Sequence, residues 1–327
     1  MNKKKIELFI VDNLIWFIDL GLIAAFTILQ PRFLSFGNMI SILFVVVPMG
    51  FLVLAMAVCL ISGNFDLSVG AIAGFSATIA GVWYLRWVPG TPWPVLILIM
   101  LLIGAGIGFF NGFFIAKFKV NAFLQTLGSY ILFYGLMLIV SGKTLFDLPK
   151  EFYAPGSHLL ASFAGGKLYL ATIDLIIALI AVHLLLTRTS LGRRIYAVGS
   201  NPKAARECGI DVEKTLIYVF IISGILSAIG GLHYAGYVQC VTMSMARNDL
   251  FFVFAGAVIG GVSLSGGKGK ISGVFGGIIL LGIIEMGLTL ILLPATWREA
   301  IFGVVLISAI LVNTTREKII MHLKARD

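Results

Sequence analysis

Apolar and polar positions fall in long blocks along this chain rather than alternating at short period. Apolar runs near 20 residues, about the length of helix that crosses a hydrocarbon core of roughly 30 Å, recur between short polar connectors. Ten such spans fit, at roughly 13–30, 39–62, 67–85, 93–116, 121–141, 168–187, 215–237, 249–264, 270–293 and 297–314. The pattern predicts an all-α polytopic membrane protein, one membrane domain over 1–327, with both termini cytoplasmic. A β-barrel would show short alternating segments instead. The run 249–264 is short and rich in Gly and Ala, and a re-entrant path is its alternative. It is expected to cross, because otherwise Lys268, Lys270 and the basic C-terminal tail would all lie outside. The opening MNKKK and apolar run mimic a signal peptide, but Asp12 and Asp19 interrupt the run and no small-residue cleavage site follows. A retained first span is expected.

The connectors carry the orientation. Seventeen of the 24 basic residues fall on the inner side of this arrangement and seven on the outer, the bias expected of cytoplasmic loops. Six of them, Arg188, Arg193, Arg194, Lys203, Arg206 and Lys214, sit in one central loop, 188–214. Inside it a helix signal is marked at both ends. Ser200 or Asn201 can cap it, Pro202 suits its first position, and Gly209 can take the left-handed conformation that ends it. The two turns from Pro202 to Cys208 are too short to hold alone in water. Ala204 and Cys208, four apart, are expected to give them a small apolar stripe. The plain reading is a helix lying on its own protein; the sharper one is a docking element for a cytosolic partner. The long outer connector 142–167, with Pro149, Pro155 and Gly165–Gly166, reads as a lid, a docking surface or a simple link.

Two Gly-rich breaks interrupt apolar sequence on the cytoplasmic side. The first runs Gly63-Asn64-Phe65-Asp66-Leu67-Ser68-Val69-Gly70; the second starts Gly260-Gly261-Val262-Ser263-Leu264-Ser265 and runs on through Gly266 and Gly267 to Lys270. They share the skeleton G-x-x-x-L-S-x-G. Glycine lets backbone leave the helical region and lets helices approach closely. Broken helices of this kind mark solute paths in transporters. A tight turn with Asp66 as helix N-cap is the structural alternative.

Polar groups inside spans are expensive and so functional by default. The candidates lining a path are Asn64, Asp66, Ser68, Asn111, Gln125, Thr126, Ser129, Tyr130, Tyr134 and Glu285. Gln125 and Ser129 share a helix face, as do Tyr130 and Tyr134. Amides, hydroxyls and aromatic rings together suit a neutral, hydroxyl-rich solute. Interhelical hydrogen bonding is the structural reading of any one of them, typically worth about 0.6 kcal/mol.

Composition narrows the field. Hydrophobic residues are 59% and charged residues 12%, and the mean hydropathy is +1.04. The net charge of +9 sits at span ends, so topology rather than nucleic acid explains it. Cys59, Cys208 and Cys240 show neither a disulfide framework nor metal spacing, and no metal site is expected. There is no P-loop spacing, nucleophile elbow or paired-carboxylate constellation. A chain without chemistry of its own takes energy for uphill transport from an ion gradient or from a partner.

These residues resemble the permease subunits of ribose-type ABC importers for simple sugars. Four stretches carry the resemblance: Gly63 to Gly70; Asn111-Gly112 leading to Phe123-Leu124-Gln125-Thr126-Leu127-Gly128; Leu191-Gly192 through Gly199-Ser200-Asn201-Pro202-Lys203-Ala204-Ala205 to Gly209-Ile210; and Gly260 to Gly269. The resemblance implies a type II importer-like bundle in the cell (inner) membrane, not itself an enzyme. It implies partners: a second permease copy or sister chain, cytosolic ATPases that bind the ATP and Mg, and an extracytoplasmic solute-binding protein. It makes Asn201, Pro202, Lys203, Ala204, Ala205 and Gly209 the ATPase-coupling element, with alternating access driven from below, and Gly260, Gly261, Ser263, Gly266 and Gly267 the second Gly-rich break. Lys203 stands where the family usually has Glu, Asn64-Phe65 where it more often has Gly-Ile, and Glu285 where an amide is usual. The alternatives are a permease for nucleosides or branched-chain amino acids, an ion-coupled transporter acting alone, and a non-transporting membrane scaffold.

Overall fold

The computed structural model describes residues 13–163, 165–294 and scattered positions between Trp297 and Leu311. Helix α1 (Leu14–Leu29) ends in a short 3-10 turn, Pro31–Leu34, where Pro31 cannot continue the ladder. The next expected span is two helices, α2 (Phe36–Val45) and α3 (Val47–Ile61), bent by 51° at a break before Pro48. Then come α4 (Val69–Val82), which runs on into a π turn over Trp83–Trp87, α5 (Trp93–Lys117) and α6 (Ala122–Ser141). Asn121 caps α6 by accepting from the Phe123 N–H at 2.9 Å, and Gly142 ends it at φ +63.

The connector 142–167 is built rather than loose. Helix α7 (Lys150–Ser157) is followed by a hairpin of β1 (Leu159–Phe163) and β2 (Gly166–Tyr169). Phe152 of α7 is fully buried, and Gly156 lies against Gly236 so closely that a Cβ would meet its Cα at 2.7 Å. After α8 (Leu170–Arg188) the central loop is also mostly helical: α9 (Ser190–Ser200), then α10 (Pro202–Glu207). Helix α9 went unforeseen at the level of sequence, because Arg193 and Arg194 mask its buried face of Gly192, Ile195, Val198 and Gly199. Helices α11 (Val212–Val238), α12 (Leu250–Ile259) and α13 (Ile271–Leu290) complete the described chain.

Helix α11 is the axis, packed against α3, α4 and α5. Its approach to α5 depends on glycine: a Cβ at Gly224 would overlap the carbonyl of Gly104, and one at Gly108 the carbonyl of Phe220. Helix α3 is buried on every side, whereas α5, α6 and α8 turn residues such as Leu102, Ile131 and Ile177 outward. An apolar rim on a bundle already packed inside is what lipid contact requires.

Six described helices are long and apolar enough to cross a membrane, or seven with the bent pair taken as one. The expected tenth span, 297–314, and both termini lie outside the described residues, apart from those scattered positions. The eighth, 249–264, is a helix of 10 residues, about 15 Å long at 1.5 Å per residue. That is half a crossing, and irregular backbone from Gln239 to Asp249 precedes it. The Gly-rich sequence after it does reach the level of α10, because Gly267 lies against Ser200.

Candidate functional site

Two features at one end of the bundle and one deeper cluster emerge around the Gly-rich breaks. Asn201 caps α10, accepting from the Lys203 and Ala204 N–H groups at 3.0 and 3.1 Å, and Gly209 turns left-handed at φ +79. The apolar anchor differs from the expected one. Ala205 is buried among Val198 and Val212, while Ala204 and Cys208 are exposed. The cap turns the helix so that a single methyl faces the protein; Ala204, Cys208 and the cation of Lys203 face away.

Directly before that cap, the two breaks meet. The N–H of Gly267 donates to the Ile61 carbonyl at 2.8 Å. A Cβ on Gly266 would come within 2.6 Å of both the Gly199 carbonyl and the Gly63 Cα, and one on Gly199 would overlap the Ile61 carbonyl. Gly63, Gly261, Gly266 and Gly267 all have left-handed φ, between +69 and +84, which an L side chain rarely adopts. Ser263 closes the second break by donating its N–H to the Lys268 carbonyl at 3.0 Å and accepting at Oγ from the Ser265 N–H at 3.2 Å. Gly260 lies over Gly273, bringing α12 against α13. The shared skeleton in the two breaks therefore corresponds to one physical junction, with the C-terminus of α9 wedged in it.

Deeper in, five of the path candidates form one network, and a sixth, Thr126, is tied to it through the backbone of Leu67. Ser68 donates both its N–H (3.0 Å) and its hydroxyl (2.5 Å) to Asp66 Oδ1. Asn111 Nδ2 donates to Ser68 Oγ at 2.9 Å. The Ser129 hydroxyl and the Gln125 amide (3.4 Å) both donate to Asn111 Oδ1. Thr126 Oγ1 accepts from the Leu67 N–H at 3.1 Å and donates to the Ala122 carbonyl at 2.7 Å. Asp66, Ser68, Asn111 and Thr126 are fully buried. Asp66 is not the cap of α4; Ser68 holds that position. The other oxygen of Asp66 accepts from Ser223 of α11 at 2.6 Å. Ser223 was not singled out from the sequence; its signal is the pair Ser223 and Ser227, one turn apart in an apolar span. Asn111 lies six residues before Lys117, about 9 Å along α5, so the network sits at membrane depth. Buried ionisable groups survive there when every partner is supplied, and three donors converge on this carboxyl.

The remaining candidates go elsewhere. Asn64 folds back onto Ser62 and lines a hollow of about 460 Å³ at the inner ends of α5, α6 and α11, beside Lys119, Arg206 and Glu213. Tyr130 and Tyr134 stack, with centroids 6.0 Å apart, and meet Arg247, which lines a separate cleft with Asp249. Glu285, half-buried on α13, stands in electrostatic reach of Asp249. Arg247 and Asp249 were read from sequence as a topological charge and a span end; the visible signal was a charged pair at the start of an apolar run. Among the described residues, no three His, Cys, Asp or Glu side chains are grouped to hold a metal ion.

Comparison with known proteins agrees with this architecture. Residues 38–310 match the family described as branched-chain amino acid transport system / permease component. Among curated relatives, the galactose/methyl galactoside import permease MglC of Escherichia coli is 31% identical over 331 residues, 97% of this chain and 98% of that protein. The L-arabinose transport system permease AraH of Escherichia coli is 34% identical over 307 residues, covering 91% and 88%. The autoinducer 2 import system permease LsrC of Photorhabdus luminescens is 34% identical over 254 residues, covering 77% and 74%. No solved structure gives a significant match. An α-helical bundle with a glycine-bound junction under a buried polar network, matched over most of its length, belongs to this family of transport-system permease components.

Proposed function

We propose that this chain is the transmembrane permease subunit of an ATP-driven importer that passes a simple sugar into the cytoplasm. The relatives that span nearly its whole length are named for galactose, methyl galactoside and L-arabinose, which favours a sugar over the amino acid in the family's description. A cytosolic ATPase pair supplies the energy, a second permease copy or sister chain completes the path, and an extracytoplasmic solute-binding protein delivers the cargo.

The observation that carries the mechanism is α10. It is a six-residue helix, capped at both ends, held by one buried methyl and otherwise exposed. Such a helix is marginal by itself and suits a surface that receives force. Its N-cap follows Gly199 and Ser200, which sit in the junction of the two breaks. Closure of the ATPase pair on α10 would pull α9 against Gly63 and Gly267, shifting α3, α4 and α13 and changing the side to which the path opens. Glu213 and Lys117, paired at 2.7 Å, brace the starting point of α11 against α5 during that movement.

The test is Ala204→Arg in the assembled importer. The side chain is exposed, so the protein should insert and fold normally. ATP hydrolysis should continue while solute-stimulated hydrolysis and uptake fall at least tenfold. Uptake at the level of the unmodified protein would overturn α10 as the coupling element.

A further inference from the structure

Between Gln239 and Asp249 the backbone is irregular at a depth where lipid offers no hydrogen bonds. Such backbone is tolerated only against protein or a wet cavity, and here it has both. Gln239 leaves α11 at φ +55. Val241 then pairs with Leu145, N–H to carbonyl both ways at 3.0 and 2.9 Å. Ala246, also left-handed at φ +54, lays its carbonyl against Gly70, where a Cβ would come within 2.6 Å of it. On the other side of the segment is a cleft of about 390 Å³, within the usual range for small-molecule pockets, roughly 300–1,000 Å³.

The lining, with Tyr234, Thr242, Ser244, Arg247, Asn248 and Asp249 beside three apolar residues, is mixed and nearly balanced. Against Arg247, Tyr130 and Tyr134 stack with their rings 10° from parallel. The Arg247 guanidinium lies over Tyr134, 5.1 Å from the ring centre. Tyr130 donates its hydroxyl to the Arg247 carbonyl at 3.0 Å, and Tyr234 donates to Asp249. Thr242 and Ser244 add hydroxyls. One cation, Arg247, and one carboxylate, Asp249, line the cleft, a balance that disfavours an anion. The Tyr234 ring beside hydroxyls and a carboxylate matches a ring with apolar C–H faces and a belt of hydroxyl groups.

We propose that this cleft holds a neutral monosaccharide during passage, with Tyr234 giving the apolar face and Asp249 and Arg247, the latter seated on Tyr134, the hydroxyl contacts. The assignment rests on the sugar-import reading above. It makes the fully buried Asp66 network a structural knot beneath the site, not part of its wall.

The experiment uses cells carrying the assembled importer and three labelled probes: D-galactose, L-arabinose and L-leucine. Two variants are compared with the parent. Tyr134→Leu removes the ring on which Arg247 is seated, at a half-buried side chain. Ser244→Cys places a thiol in the cleft for a hydrophilic methanethiosulfonate reagent, with the parent and its own three cysteines as the labelling control. The expected result is sugar uptake by the parent, at least a tenfold loss in Tyr134→Leu, and reagent-blocked uptake in Ser244→Cys that millimolar sugar protects. Should Tyr134→Leu fail to reach the membrane, protection of Ser244→Cys decides alone. Sugar uptake by the parent with no protection at Ser244→Cys overturns the cleft and leaves the sugar reading standing. Uptake of L-leucine and of neither sugar by the parent overturns both.

Discussion

At the scale of single residues, the buried polar network sets the sharpest expectations. Among the described residues, Ser223 supplies the only hydrogen bond on Asp66 Oδ2. Ser223→Ala leaves that oxygen desolvated and unpaired, which costs about 1–3 kcal/mol. Thermal unfolding of the detergent-solubilised protein should therefore shift downward, whereas Ser244→Ala, on an open cleft, should not move it. An unchanged unfolding temperature for Ser223→Ala would mean the carboxyl finds another donor. A second expectation concerns acid. The Lys214 N–H, followed by the Lys214 ammonium, holds the Asp211 carboxyl below the ordinary carboxylate range. A group with a lowered folded value stabilises above its unfolded value, about 3.9, and loses that stabilisation as pH falls through the folded one. Amide exchange in the first turn of α11 should stay slow at pH 5 and quicken only below about pH 4; early loss at pH 5 would contradict the capping role. Residue types were readable here and partners were not. Asp66, Ser68, Asn111, Gln125, Thr126 and Ser129 stand out as polar groups in apolar runs. That they form one knot, and that Ser223 closes it from 157 positions away in the chain, depends on helix packing that no local pattern encodes.

At the scale of elements, glycine decides what can touch. Gly199 is the point where α9 meets both breaks. Gly199→Val should force the junction apart, an overpacking cost of about 1–3 kcal/mol. The junction should open to limited proteolysis between 199 and 209 and uptake should be lost, with the protein still inserted. Wild-type protease resistance would show that the contact yields easily. The long spans were legible because apolar length and lipid thickness correspond directly. The cap of α10 was legible in kind, since Asn201 and Pro202 open it, whereas Asn121 and Asp211, which cap α6 and α11, were not singled out. The hidden elements share a cause. Helix α9 is amphipathic with charges on its outer face, and α7 and the hairpin are stabilised by tertiary burial of Phe152 and Gly156 rather than by local preference. The helix within 249–264 is shorter than the apolar run, because apolar content does not show where a helix starts or stops, and Arg247 and Asn248 just before it belong to the cleft.

At the scale of the whole molecule, the parts form one column. An exposed six-residue helix lies at one end, followed by a glycine junction, a polar knot, and a cleft that ends where α12 begins. The sequence carries no P-loop spacing, and in the proposed function an ATPase partner acting on that helix moves the column. The most direct measurement is solute flux into sealed vesicles holding this chain with or without its cytosolic ATPase. The account predicts ATP-dependent accumulation of labelled sugar in the complete assembly and none above leakage with the chain alone. Concentrative uptake by the chain alone, at the rate of the assembly, would contradict it.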